Sequence, residues 1–140
     1  MKTFRFRDFP VYGESLLFRK KIVAVTQAFP MEEKYRLIDK IHRACLSIIL
    51  NIAEGSAKKS DPDFARFLEM AIASTNEVVA ALDIAVGDGL ITEEVRVSLE
   101  NDAEMLAKQL GGFLKKLRSS QITVSRELYI VTCYLFNHAD

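Results

Sequence analysis

The chain has no tryptophan, and its 140 residues include only two cysteines, three prolines and six glycines. Cys45 and Cys133 each stand alone in their segment, so there is neither a disulfide framework nor a cysteine-based metal spacing. So few turn-forming residues argue against an all-β domain of this length. An excess of charge is also absent: 19 Lys and Arg balance 19 Asp and Glu. Polyanion binding driven by overall charge is thereby excluded, while a local basic patch is not. No run of 18 apolar residues occurs, and residues 1–9 mix basic and aromatic side chains without an apolar stretch. Neither a membrane span nor a cleaved signal is expected, which places the protein in the cytoplasm. No glycine-rich phosphate loop, metal triad or nucleophile–base motif accompanies the polar residues. The expectation is therefore no enzyme, no cofactor, no metal and no small-molecule substrate.

What is present is a core. Apolar residues make up 49% and charged residues 27%, enough to fold one domain. Four segments show helical periodicity. In the first, predicted over 12–28, Phe18, Ile22, Val25 and Phe29 share a face, and Phe29-Pro30 breaks the helix. In the second, predicted over 33–57, Leu37, Ile41, Cys45, Ile48 and Ile52 form a stripe that Ile38, Ile49 and Ala53 widen. Gly55-Ser56 followed by Lys58 and Lys59 marks its end. The third, over 62–87, opens with Asp61 as cap and Pro62 as first helical residue. It carries Phe64, Leu68, Ala71, Thr75, Val78 and Leu82, with small residues that admit a close neighbour. The fourth, over 92–118, starts at Thr92 and carries Leu99, Ala103, Leu106, Leu110, Phe113 and Leu117. Gly111-Gly112 inside it reads as close backbone packing or a bend. Met70 and Met105 read as packing residues.

The fold class follows: all-α, an antiparallel up-down four-helix bundle over residues 1–118, including an N-terminal arm. Residues 119–140 form a dense apolar tail, a fifth short helix or a strand, expected to pack on the bundle or on a neighbouring subunit. That tail and the extra apolar positions flanking helix two are the physical motive for a homo-oligomer.

Two groups of polar residues are candidate sites. Arg36, Lys40, Arg43, Ser47, Asn51 and Glu54 fall in a sector of about 80° on helix two. Of these, Arg43, Asn51 and Glu54, with Ser74 and Glu77 of helix three, are expected to form a structural polar network rather than a catalytic centre. Arg43 or Lys59 is the expected charge partner of Glu54. The second group is basic. Residues 1–21 carry six basic side chains against two acidic, and residues 108–127 five against one. Residues 76–107 carry one against eight. Arg5, Arg7, Lys58, Lys59, Lys115, Lys116 and Arg118 are the candidate nucleic-acid contacts, with Phe4, Phe6 and Phe9 available to stack on bases.

Several stretches carry a family resemblance. These are Phe29-Pro30 with Glu33, Tyr35 and Leu37; Arg43-Ala44 with Ser47-Ile48; Asn51-Ile52-Ala53-Glu54-Gly55-Ser56; and Phe64, Phe67-Leu68, Ala71, Ser74 and Glu77. Over residues 8 to 118 the chain resembles the bacterial 23S rRNA intervening-sequence proteins. Ile49 stands where the family usually has proline, which implies a straighter helix two. Ala73 stands where it has glycine, at a position expected to be closely packed. The resemblance implies an up-down bundle assembled into homo-oligomers, with a ring of five subunits as the leading expectation. It implies a scaffold or interaction module without enzyme activity. A distant branch serves diversity-generating retroelements, which makes an RNA- or DNA-binding accessory protein, partner of a reverse transcriptase, the alternative.

Overall fold

The structure, a computed structural model, describes residues 2–137, with side chains described for 2–120 and 125–128. It is all-α: the described residues contain four helices and no strand. The helices are α1 (Pro10–Thr26), α2 (Asp39–Ser56), α3 (Asp61–Gly87) and α4 (Glu93–Asn137). One core runs between them. Phe18 and Ile22 of α1 meet Ile41, Cys45, Ile48 and Ile52 of α2, Leu68, Val78 and Leu82 of α3, and Leu99, Leu106 and Leu110 of α4. These are the residues that the helical periodicity selected. Burial of each such side chain contributes about 1.5–3 kcal/mol. One departure is small: Met70 and Met105 are exposed, not packed. Val25 is half-buried against the core, and Thr26 beside it is buried.

By length and composition α3 is apolar enough to cross a membrane, with mean hydropathy 1.3 over an 18-residue window. Its apolar face is nonetheless occupied. Phe64, Leu68, Ala71, Val78, Leu82 and Ala85 are all buried against the other helices. Hydroxyls on this helix are buried without loss, because Thr75 donates to the Ala71 carbonyl at 2.9 Å and Ser74 to Met70 at 3.0 Å.

The helix ends follow local chemistry. Pro10 begins α1, where its missing N–H costs nothing. The cap of α3 is Ser60, whose Oγ accepts from the Asp63 amide at 3.3 Å; Asp61, expected as the cap, is already helical. Gly89, at φ +71°, closes α3, and the Leu90 amide reaches back to Ala85 at 2.8 Å. Thr92 caps α4 by accepting from the Val95 amide. Between α1 and α2, a 3-10 turn (Met31–Glu33) and a π turn (Lys34–Ile38) replace the start of the helix expected from residue 33. The break keeps Phe29 and Leu37 buried across the proline. α2 is continuous through Ile49, as its sequence predicts.

The larger correction concerns α4. It does not stop at 118 but continues to Asn137, so the tail is neither a separate helix nor a strand. No proline or glycine follows Gly112 to stop it. Ser119 and Ser120 bond to the carbonyls of Lys116 and Leu117 and stay within the helix. The expected packing of the tail depends mainly on side chains outside the described ones.

Glycine has two distinct roles. Gly55 stands at the end of α2, as expected, one residue before its last, Ser56. It is also buried, and a Cβ there would sit 2.7 Å from the Phe64 ring and 2.8 Å from Phe67 Cβ. It is the contact that brings α2 onto α3. Gly111 and Gly112 have nothing within 4 Å of a built Cβ, so the expected close packing is absent there. Ala73, also expected at a close contact, is exposed. Gly55→Ala should therefore destabilise the fold by about 1–3 kcal/mol through overpacking. Gly111→Ala should stabilise it by about 0.5–1 kcal/mol through helix propensity. Urea midpoints of the two variants against the parent check both signs.

Candidate functional site

The block around Gly55 fixes which face of α2 looks outward. Arg43, Leu46, Ser47, Leu50, Asn51 and Glu54 line an open cleft of about 370 Å³ along that face. A second cleft, about 560 Å³, continues past Tyr35, Asp39, Lys40 and Arg43 to Glu77 of α3. Ser47 stands at the centre. Its Oγ lies 2.7 Å from Ser74 Oγ and accepts from Asn51 Nδ2 at 3.0 Å, while the same amide donates to the Ser47 carbonyl at 2.8 Å. This half-buried triad holds α2 on α3.

Of the expected network, then, Asn51 and Ser74 are brought together through Ser47. Arg43, Glu54 and Glu77 do not join them. Arg43 pairs loosely with Asp39, one turn away on its own helix, at 3.8 Å. Glu54 and Glu77 are exposed, and their carboxylates make no hydrogen bond or ion pair among the described residues. Neither Arg43 nor Lys59 neutralises Glu54. Helical spacing placed these groups on one face but could not say which of them packing would half-bury. What sequence reading missed on this face is apolar: Leu46 and Leu50 are 40% and 52% exposed between the polar groups. Their signal was available, since at about 100° per residue both lie beside the polar sector, on the Arg43 side and away from the core stripe.

The basic candidates gather at one end of the bundle. Arg5 Nε donates to the Ser56 carbonyl at 2.8 Å, satisfying a free acceptor at the end of α2. Its guanidinium also lies 5.4 Å from the Phe64 ring centroid. Arg7 stacks on Phe4 and Phe6, and Arg118 pairs with Glu69. Ser120 of α4 reaches Asp61 at 2.9 Å, which brings the α4 segment beside the loop that carries Lys58 and Lys59. Lys58 lies over the Phe67 ring at 4.8 Å. Lys59, Lys115 and Lys116 are exposed. Phe6 packs on Tyr12, and Phe9 on Phe64 and Phe113, so those two rings serve the fold rather than bases.

The described residues contain no group of three His, Cys, Asp or Glu side chains placed to hold a metal ion. Burial pushes the Cys45 thiol up to about 12, so it is no nucleophile near neutrality. Ser47 has only Ser74 and Asn51 for partners, and neither is a base. His42 Nε2 lies 2.7 Å from Thr26 Oγ1. The threonine hydrogen is directed at the Ile22 and Val23 carbonyls, so the imidazole N–H donates. Burial, and then the charge of Arg19, hold the His42 pKa below its usual value.

Two outcomes follow from this geometry. Glu54→Ala should leave stability within about 0.5 kcal/mol of the parent, as exposed, unpaired side chains do, and not lower it as a buried network member would. His42, with its folded pKa depressed, favours the fold in its neutral form. That stability is complete above the unfolded value of about 6.5 and is lost as pH falls through the folded pKa. His42→Gln should flatten the decline of the urea midpoint between pH 7.5 and 5.5.

Comparison with known proteins agrees with the fold and with the blocks that carry these residues. The family described as 23S rRNA-intervening sequence protein matches residues 7–112. A solved structure from Bacteroides thetaiotaomicron, a protein of unknown function from the S23 ribosomal protein family, superposes with a TM-score of 0.69. It is 30% identical, and the match covers 75% of this chain and 95% of that one. No curated protein matches. This chain belongs to the 23S rRNA-intervening sequence protein family.

Proposed function

We propose that the protein is a non-enzymatic interaction module, an antiparallel up-down bundle that assembles with copies of itself to present a docking surface. The antiparallel reading is supported by contacts whose numbers run in opposite directions. Ser47 meets Ser74 while Gly55 lies against Phe64, and Lys21 meets Asp102 while Phe9 meets Phe113. The observation that carries the assembly reading is the outer face of α2. Leu46 and Leu50 are exposed in the middle of a row of charged side chains on a rigid, fully helical element. An apolar centre inside a charged rim is the anatomy of a protein–protein contact. The five-subunit ring implied by the family resemblance is one way to cover it.

A second reading rests on a separate observation. Lys58, Lys59, Lys115 and Lys116 converge on one end of the bundle while the acidic stretch of α4 lies elsewhere. There Arg96 gathers Glu93, Glu100 and Asp83 around itself. Such an end suits the phosphates of RNA or DNA, without base reading.

One experiment addresses both. Light scattering at micromolar concentration should give a multiple of the 15.8 kDa chain mass, and a single-chain mass would refute the assembly reading. Labelled structured RNA added at about 50 mM salt should bind the basic end only weakly, and binding should fade steeply by about 200 mM. No binding at low salt would remove the second reading.

A further inference from the structure

At Ser120, α4 lies beside the first residue of α3: the serine hydroxyl donates to Asp61 Oδ2 at 2.9 Å. Past that level α4 remains helical to Asn137, about 25 Å farther at 1.5 Å per residue. Ser125, Arg126, Glu127 and Leu128 are all exposed, Leu128 by 65%. Four successive residues look out on every side of a helix, so α4 stands clear of its own bundle there. Docking of the tail on its own bundle is thereby excluded at that turn. The sequence of this stretch does not suit a lone helix in water. Ile122, Thr123, Val124, Ile130, Val131 and Thr132 are β-branched, and Arg126 and Glu127 are the only charges in 119–137. A single helix of this length is marginal without an apolar neighbour. Its apolar residues also keep a repeat. Leu110, Leu114 and Leu117 pack in the bundle core at steps of four and three. The same alternation continues through Gln121 to Val124, Leu128, Val131 and Leu135.

We propose that residues 121–137 of neighbouring copies pack on one another in parallel, as a coiled-coil stalk at one end of the assembly. This rests on the assembly reading and adds a contact that the α2 face does not make. In a cyclic assembly all copies are equivalent, so their extensions leave the same side and run the same way. Tethering to one assembly holds them at high effective concentration, so a short seam suffices. Leu128 and Leu135 take the a positions of the repeat, and Val124 and Val131 the d positions. That is the reverse of the pattern that favours two strands. The seam therefore suits more than two chains, a ring of five included. Other occupants fit less well. The apolar run 128–136 is too short to span a bilayer. Arg126 and Glu127 cancel, so no net charge draws the segment to phosphate or to anionic lipid. The extension also lies past residues 7–112, the part shared with the family, so this contact is additional to those of the shared bundle.

The test uses the full chain. Leu128→Asp puts a carboxylate on the seam at an exposed position and leaves the bundle intact, which the urea midpoint checks. By sedimentation equilibrium the parent should be an assembly. L128D should associate at least about tenfold more weakly, because its carboxylates would be buried against one another. Spin labels read the direction. They are attached at Ser125→Cys in one preparation and at Asn137→Cys in another, each with Cys133→Ser; Cys45 is buried and takes no label. A parallel stalk keeps both like-label distances similar and within about 30 Å, a few helix diameters. A distance that grows from the Ser125 label to the Asn137 label would overturn the stalk and leave the assembly reading standing. So would L128D that associates as tightly as the parent. A monomeric parent would overturn both.

Discussion

The structure depends on the approach of α2 to α3 at Gly55. No side chain fits between that residue and the Phe64 ring and Phe67 Cβ, so the two helices meet backbone to side chain. That contact sets the register along the whole pair. Two turns earlier it brings Ser47 against Ser74, with Asn51 completing the bond set. At the end of α2 it places the Ser56 carbonyl where Arg5 of the N-terminal arm donates to it, beside the same Phe64 ring. Phe64 in turn packs on Phe9 and Phe113, tying α1 and α4 to the same point. A methyl group at residue 55 therefore affects all four helices.

The same contact determines what faces the solvent. With Ile41, Cys45, Ile48 and Ile52 turned inward, the opposite side of α2 must carry Arg43, Leu46, Leu50 and Glu54 outward. Nothing on that side supplies reaction chemistry: the serine has no base, and the cysteine lies on the far side of the helix, buried and protonated. What it supplies is shape, two exposed leucines and an ordered row of charge. An apolar centre within a charged rim is the composition of a protein-contact surface.

Much of the fold was legible from the residues. The stripes of four segments named most of the buried side chains, because a helix 3.6 residues per turn leaves no other way to gather them. Thr92 and the glycines after Val86 announced their ends by local chemistry. The failures share a cause. Gly55, Gly111 and Gly112 look alike in sequence, but only the packed structure shows that a neighbour crowds the first and not the other two. The continuation of α4 through Ser119 and Ser120 was hidden because serine both breaks and continues helices, depending on where its hydroxyl bonds. The π turn at Lys34–Ile38 leaves no compositional trace. In the candidate site, periodicity put Asn51, Glu54 and Arg43 on one face, yet only the first is held by the neighbouring helix.

The account rests on the claim that the Phe64 ring leaves no room for a side chain at residue 55. A double-mutant cycle tests this directly. Gly55→Ala is made in the parent and in a Phe64→Leu background, and urea midpoints are read by circular dichroism. A smaller ring neighbour gives the added methyl group room, so the account predicts that Gly55→Ala costs less stability in the Phe64→Leu background than in the parent. An equal cost in both backgrounds would contradict it.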